Sequence, residues 1–85
     1  MHKITVGICD DDIKWGEKAK KLIQNYGKKT GTVIEVLSFR GRKDLENYLG
    51  EPMEVLFMDI SLKDESGIDL ASEISTRWKQ CQIVY

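Results

Sequence analysis

The sequence predicts an α/β domain, an open parallel sheet with helices on both faces. Three observations carry this expectation. The apolar pattern switches repeatedly between a period of 2 and a period of about 3.6 residues, in the order strand, helix, strand, helix, strand, helix, strand. Val55-Leu56-Phe57-Met58 is a continuous apolar run, as expected of a strand buried on both faces. The first and third strands each run straight into aspartate. Strands joined through helices need crossover connections, and these are right-handed and make the sheet parallel.

Ile4 to Cys9 is β-branched and alternating, and predicts the first strand. From Asp12 the period lengthens, and Trp15, Ala19, Leu22, Ile23 and Tyr26 predict the buried face of a helix. Gly27 is expected to cap that helix, with Gly31 in the turn that follows. Thr32 to Phe39 predicts a second strand, broken at Gly41. Leu45, Tyr48 and Leu49 mark a short second helix ending at Gly50, and Pro52 opens the segment leading to the third strand. Ser61 to Ser66 reads as a polar loop closed by Gly67, after which Ile68, Ala71, Ile74 and Trp78 line a third helix. Ile83-Val84-Tyr85 begins a fourth strand, in which the chain ends, so the 85 residues read as part of a larger domain.

The length suits one small domain, not two independent cores. Thirteen Lys and Arg against fourteen Asp and Glu give a net charge of −1, which argues against a dedicated nucleic-acid surface. No apolar run approaches the ~20 residues that span a bilayer, and the N-terminal apolar stretch is too short for a signal sequence. Cys9 and Cys81 have no metal-ligand spacing and lie in apolar segments, which fits reduced, buried thiols in the cytoplasm.

The chemistry is expected where the acids gather. Asp10, Asp11 and Asp12 follow the first strand and Asp59 follows the third. In an open parallel sheet, ligands bind beyond the carboxyl ends of the strands, where strand order reverses. Adjacent first and third strands bring these carboxylates into one pocket. Mutual repulsion there is relieved by a hard dication, and Mg²⁺ suits one or two carboxylates with a carbonyl and waters. The plainer reading, that the aspartates cap the first helix, fits one of them, and Asp12 is the natural cap.

Ile8-Cys9-Asp10-Asp11-Asp12, then Phe57-Met58-Asp59-Ile60-Ser61-Leu62 and Gly67 eight positions after Asp59, resemble the receiver (CheY-like) domain of bacterial two-component response regulators. The resemblance covers the whole chain, as the N-terminal part of a receiver. It implies a flavodoxin-like sheet of order 2-1-3-4-5 that lacks here its fourth helix, fifth strand and fifth helix. It also implies that Asp59 accepts phosphate from a sensor histidine kinase, with Asp10 as its acidic partner in catalysis. Mg²⁺ would be held by Asp11 and Asp59, by the backbone carbonyl of Ser61, and by Asp10 through water. A carboxylate nucleophile forms a labile acyl phosphate, which suits a reversible signal.

The same resemblance places a Ser or Thr and a Lys beyond Tyr85, and a proline where this chain has Lys63. The wording around Cys9-Asp10-Asp11 and Met58-Asp59-Ile60 resembles receivers joined to LytTR-type DNA-binding domains, which implies a transcriptional output domain. It further implies a cytoplasmic phosphoprotein switch, not an enzyme, with no nucleic-acid or membrane contact by this part. A sheet left open at the fourth strand is expected to self-associate. A Mg²⁺-dependent phosphohydrolase of haloacid-dehalogenase type is the alternative, but that family wants a second Asp where this chain has Ser61. Trp15 is expected beside the pocket, either packed on the sheet or, as in receivers, on the helix that meets the kinase. Lys14, Lys18, Lys20, Lys21, Lys28 and Lys29 read as a solvated helix face, and Arg40, Arg42 and Lys43 as solubilising charge. His2 is given no role.

Overall fold

The computed structural model describes residues 3–48, 50, 52–62 and 65–85. The readings that fell on His2, Leu49, Lys63 and Asp64 lie outside these residues. The elements are β1 (Lys3–Cys9), α1 (Ile13–Thr30), β2 (Val33–Phe39), α2 (Arg42–Asn47), β3 (Val55–Met58), β4 (Ser61–Leu62), β5 (Glu65–Ser66), α3 (Gly67–Arg77) and β6 (Gln82–Val84). Four strands form a parallel sheet of order β2-β1-β3-β6, and β4 and β5 pair separately as a small antiparallel ribbon. The predicted α/β fold class, a parallel sheet with helices, is the observed one.

Register sorts the side chains. Cys9 pairs with Phe39 on one side and Met58 on the other, and Leu56 pairs with Ile83, so all face the same layer. That layer holds the main core, where Leu45 of α2 and Leu70, Ala71, Ile74 and Trp78 around α3 pack on Cys9, Phe39, Leu56 and Met58. Tyr48 completes it, its ring edge-on to Phe39 at 5.6 Å and to Trp78 at 5.8 Å. The opposite face carries Val6, Ile8, Val36 and Phe57, and α1 lies over its β1–β2 half.

Several local expectations are corrected. Helix α1 runs through Gly27 and ends at Gly31, whose φ of 73° is the left-handed cap conformation. Gly27 is instead a contact point, since a Cβ there would meet the Thr32 carbonyl oxygen at 2.8 Å. The inward stripe of α1 is Gly16, Ala19, Ile23 and Gly27, while Trp15, Leu22 and Tyr26 are 54%, 70% and 65% exposed. Gly27 lets the end of the helix sit close to Ile34 of β2, and a hydrophobicity pattern reads glycine as a blank. Helix α2 stops at Asn47, and Tyr48 follows in extended conformation. On α3 Leu70 is buried beside the expected Ala71 and Ile74, and Ile68 is exposed. The expected loop 61–66 contains the β4–β5 ribbon. Cys9 and Cys81 are both free; Cys9 is buried but Cys81 only half so. Burial, reinforced by nearby carboxylates, pushes the Cys9 thiol up to about 12. No described helix is long and apolar enough to cross a membrane.

Candidate functional site

The sheet itself assembles the acids. One residue beyond the Cys9–Met58 pair, the Asp59 N–H donates to the Cys9 carbonyl at 3.0 Å, and the Asp10 N–H donates to the Phe39 carbonyl at 2.9 Å. Each aspartate is therefore pinned by the strand beside it, and the two stand as lateral neighbours at the carboxyl edge. One carboxylate oxygen from each of Asp10, Asp11 and Asp59 lies within 4.8 Å of the other two. Asp10 and Asp59 are half-buried and Asp11 is exposed. Among the described residues no lysine or arginine pairs with these three carboxylates.

Local hydrogen bonds aim the side chains. Asp10 Oδ1 accepts from the Asp12 N–H at 2.8 Å, and Asp59 Oδ1 accepts from the Ser61 N–H at 3.1 Å. Asp12 turns away and caps α1, accepting from the Trp15 N–H at 3.1 Å, so it stands apart from the cluster. Ser61, predicted to offer a carbonyl, thus sits directly beside Asp59. Gly67 stands against the backbone just after β3, and its N–H donates to the Ile60 carbonyl at 2.8 Å. A Cβ on Gly67 would fall 1.8 Å from the Asp59 carbonyl oxygen. Glycine is demanded there by close approach, because its φ is not positive.

Trp15 shares with Asp10 and Asp59 an open groove of about 420 Å³, walled by Ile8, Phe57, Val84 and Tyr85. Its indole is therefore on the groove as expected beside the acids, but it is exposed and does not pack into the sheet. Arg42 departs from the expectation of free solubilising charge. Its guanidinium pairs with Glu65, Glu73 and Glu46. Only the Glu46 pair, at i,i+4 on the same helix, has a spacing that sequence shows; Glu65 and Glu73 lie on separate elements.

Burial raises the Asp10 carboxyl above its ordinary value; the charges of Asp59, Asp11 and Asp12 add to this, while the Asp12 N–H bond opposes it. The folded chain then holds this proton to higher pH than the unfolded chain does. Stability from this group is greatest below the ordinary aspartate value, falls as pH rises through the raised one, and stays lower above it. Asp10→Asn, which keeps an oxygen for the Asp12 N–H, is expected to raise Tm at pH 7 in chelator and to change it little near pH 3. A Tm at pH 7 below that of the unmodified chain would count against a cost of holding this charge half-buried beside other carboxylates.

Three hard oxygen donors, without a cationic partner among the described residues and converging to within 4.8 Å, fit a small divalent cation in donor type and charge.

No protein-family profile matches the chain, and no curated protein matches it. Solved structures do. The non-phosphorylated HemR receiver domain of Leptospira biflexa superposes with a TM-score of 0.76 at 22% identity, over 94% of this chain and 60% of that one. The response regulator TrrA of Thermotoga maritima, in complex with Mg(2+)-BeF, gives 0.72 at 23% identity, over 98% and 66%. The complex of the T. maritima histidine kinase ThkA with TrrA gives 0.61 at 19%, over 98% and 66%. The chain spans less than two thirds of these proteins, and the fold it shares with them is the flavodoxin-like receiver fold.

Proposed function

We propose that the chain is the N-terminal part of a phosphoacceptor receiver domain in two-component signalling, with Asp59 as the residue that takes the phosphoryl group. The observation that carries this reading is the convergence of Asp10, Asp11 and Asp59 at the adjoining ends of β1 and β3. The likeness to receivers, one solved with Mg(2+)-BeF and one with a histidine kinase, supports it.

In this reading an Asp59 carboxylate oxygen attacks the phosphorus of a kinase phosphohistidine in line. The new O–P bond forms as the P–N bond breaks, and the imidazole leaves with its electron pair and takes up a proton. The Ser61 N–H holds the other Asp59 oxygen, so the nucleophile is oriented before transfer. Asp11 and Asp59 carboxylates, the Ser61 carbonyl, and Asp10 through water are the residues that would hold Mg²⁺. When bound, the ion neutralises charge on the phosphoryl oxygens. The wider protein is then a cytoplasmic phosphoprotein with a histidine kinase as partner and an output domain, of LytTR type and transcriptional, beyond this chain.

Turnover separates this switch from a phosphohydrolase. The whole protein with phosphoramidate and Mg²⁺ is expected to gain one phosphoryl group per chain and to release phosphate only as that label decays. Steady hydrolysis of a phosphate ester such as p-nitrophenyl phosphate would replace the switch with the hydrolase.

The 85-residue chain is also proposed to self-associate. The outer edge of β6 pairs with no strand among the described residues, and Gln82 to Tyr85 carry no charged side chain or proline to block an incoming strand. The groove beside it exposes Trp15, Val84 and Tyr85. Sedimentation at high concentration is expected to show dimers or larger species, and a stable monomer would contradict this.

A further inference from the structure

We propose that Arg42 is a positioning residue for the Asp59 side of the acid cluster, an inference that rests on reading that cluster as a cation site. Arg42 opens α2, yet its side chain reaches two other elements. Nε and Nη2 both donate to Glu65 of β5, at 3.0 and 2.8 Å, and Nη2 also donates to Glu73 of α3. Nη1 lies 3.7 Å from Glu46 on its own helix. One guanidinium thus joins α2, the β4–β5 ribbon and α3.

The ribbon is what connects this clamp to the site. Glu65 pairs with Leu62 and Ser66 with Ser61, and the Ser61 N–H is the donor that orients Asp59. The far end of the ribbon is closed by Gly67 on Ile60. Two-residue strands have little intrinsic stability, so their register depends on what anchors them. Leu62 anchors one strand by burial and Arg42 anchors the other by charge. Arg42, Leu62 and Glu65 line one open groove together with Asp11, so the clamp and one member of the cluster border the same space. A guanidinium is suited to this task where an ammonium is not, because its planar array lets Nε and Nη2 grip one Glu65 oxygen while Nη2 also reaches Glu73.

The sign of the effect discriminates positioning from simple electrostatics. Removing a positive charge beside three carboxylates strengthens cation binding if only the field matters. Loss of positioning weakens it. Mn²⁺ uptake by the 85-residue chain, followed by loss of the free-ion EPR signal, is expected to weaken by a few-fold in Arg42→Ala, less than the roughly tenfold cost of losing a direct hydrogen-bond partner of a ligand. Arg42→Lys, which restores the charge without the fork, is expected to recover only part. Arg42→Met, keeping the apolar stem, replaces the alanine variant should that fail to fold. Affinity equal to or tighter than that of the unmodified chain in Arg42→Ala or Arg42→Met overturns the assignment. If the unmodified chain takes up no Mn²⁺, the cation site itself falls and this role falls with it; uptake unaffected by either variant removes Arg42 alone.

Discussion

Asp59→Asn is expected to remove the phosphoryl label from the whole protein altogether, leaving its fold and stability intact. The substitution keeps the shape of the side chain and an oxygen to accept the Ser61 N–H, so the local turn after β3 has no reason to change. It removes the proposed nucleophile, because a carboxamide does not form an acyl phosphate. It also removes one of three crowded negative charges, so Tm in chelator is expected to stay level or rise. Intact-mass spectrometry after phosphoramidate treatment reads the outcome directly. A phosphoryl adduct of unchanged stoichiometry in Asp59→Asn would place the acceptor elsewhere.

Gly67→Ala is expected to be the most damaging single-methyl change near the site. The added Cβ would lie 1.8 Å from the Asp59 carbonyl oxygen, 2.8 Å from the Asp59 carbonyl carbon and 3.0 Å from Ile60 Cα. All three are backbone atoms, so no rotamer change relieves the clash. Either α3 moves off the sheet edge or the Asp59–Ile60 peptide shifts, and both break the Gly67 N–H to Ile60 bond. Overpacking of this kind costs about 1–3 kcal/mol, and here the displaced backbone carries a member of the acid cluster. Urea unfolding is expected to show a lower midpoint and Mn²⁺ titration a weaker site. Gly16→Ala is the control of opposite sign. It lies within α1 with nothing within 4 Å of its added Cβ, and the exchange is expected to stabilise by about 0.5–1 kcal/mol. Gly67→Ala as stable as the unmodified chain, with full cation affinity, would refute the close-approach argument.

The strand ends were legible in sequence because two signals coincide there. An apolar strand that stops at aspartate fixes both the element and the edge at which its acid stands, and parallel register then does the rest. Asp10 and Asp59 meet because Cys9 and Met58 are partners. The lining of α1 was legible only at Ala19 and Ile23, since its most buried positions are Gly16 and Gly27, and side-chain hydrophobicity says nothing about a glycine. The apolar residues that were conspicuous, Trp15, Leu22 and Tyr26, face outward. Local composition also hid the β4–β5 ribbon, whose residues look like a polar loop and are held partly by Arg42, 23 positions from Glu65. Contacts of that range leave no periodic trace. The same holds for Gly67, where sequence shows a glycine but not that the Asp59 backbone stands against it.

The central claim is that carboxylates from two strands make a single cation site, and Mn²⁺ titration of the 85-residue chain and two variants tests it most directly. The unmodified chain is expected to bind one Mn²⁺, displaceable by Mg²⁺, and both Asp11→Ala, after β1, and Asp59→Ala, after β3, are expected to lose it. Undiminished binding in Asp59→Ala would show that the aspartates following β1 act alone, and would contradict the account.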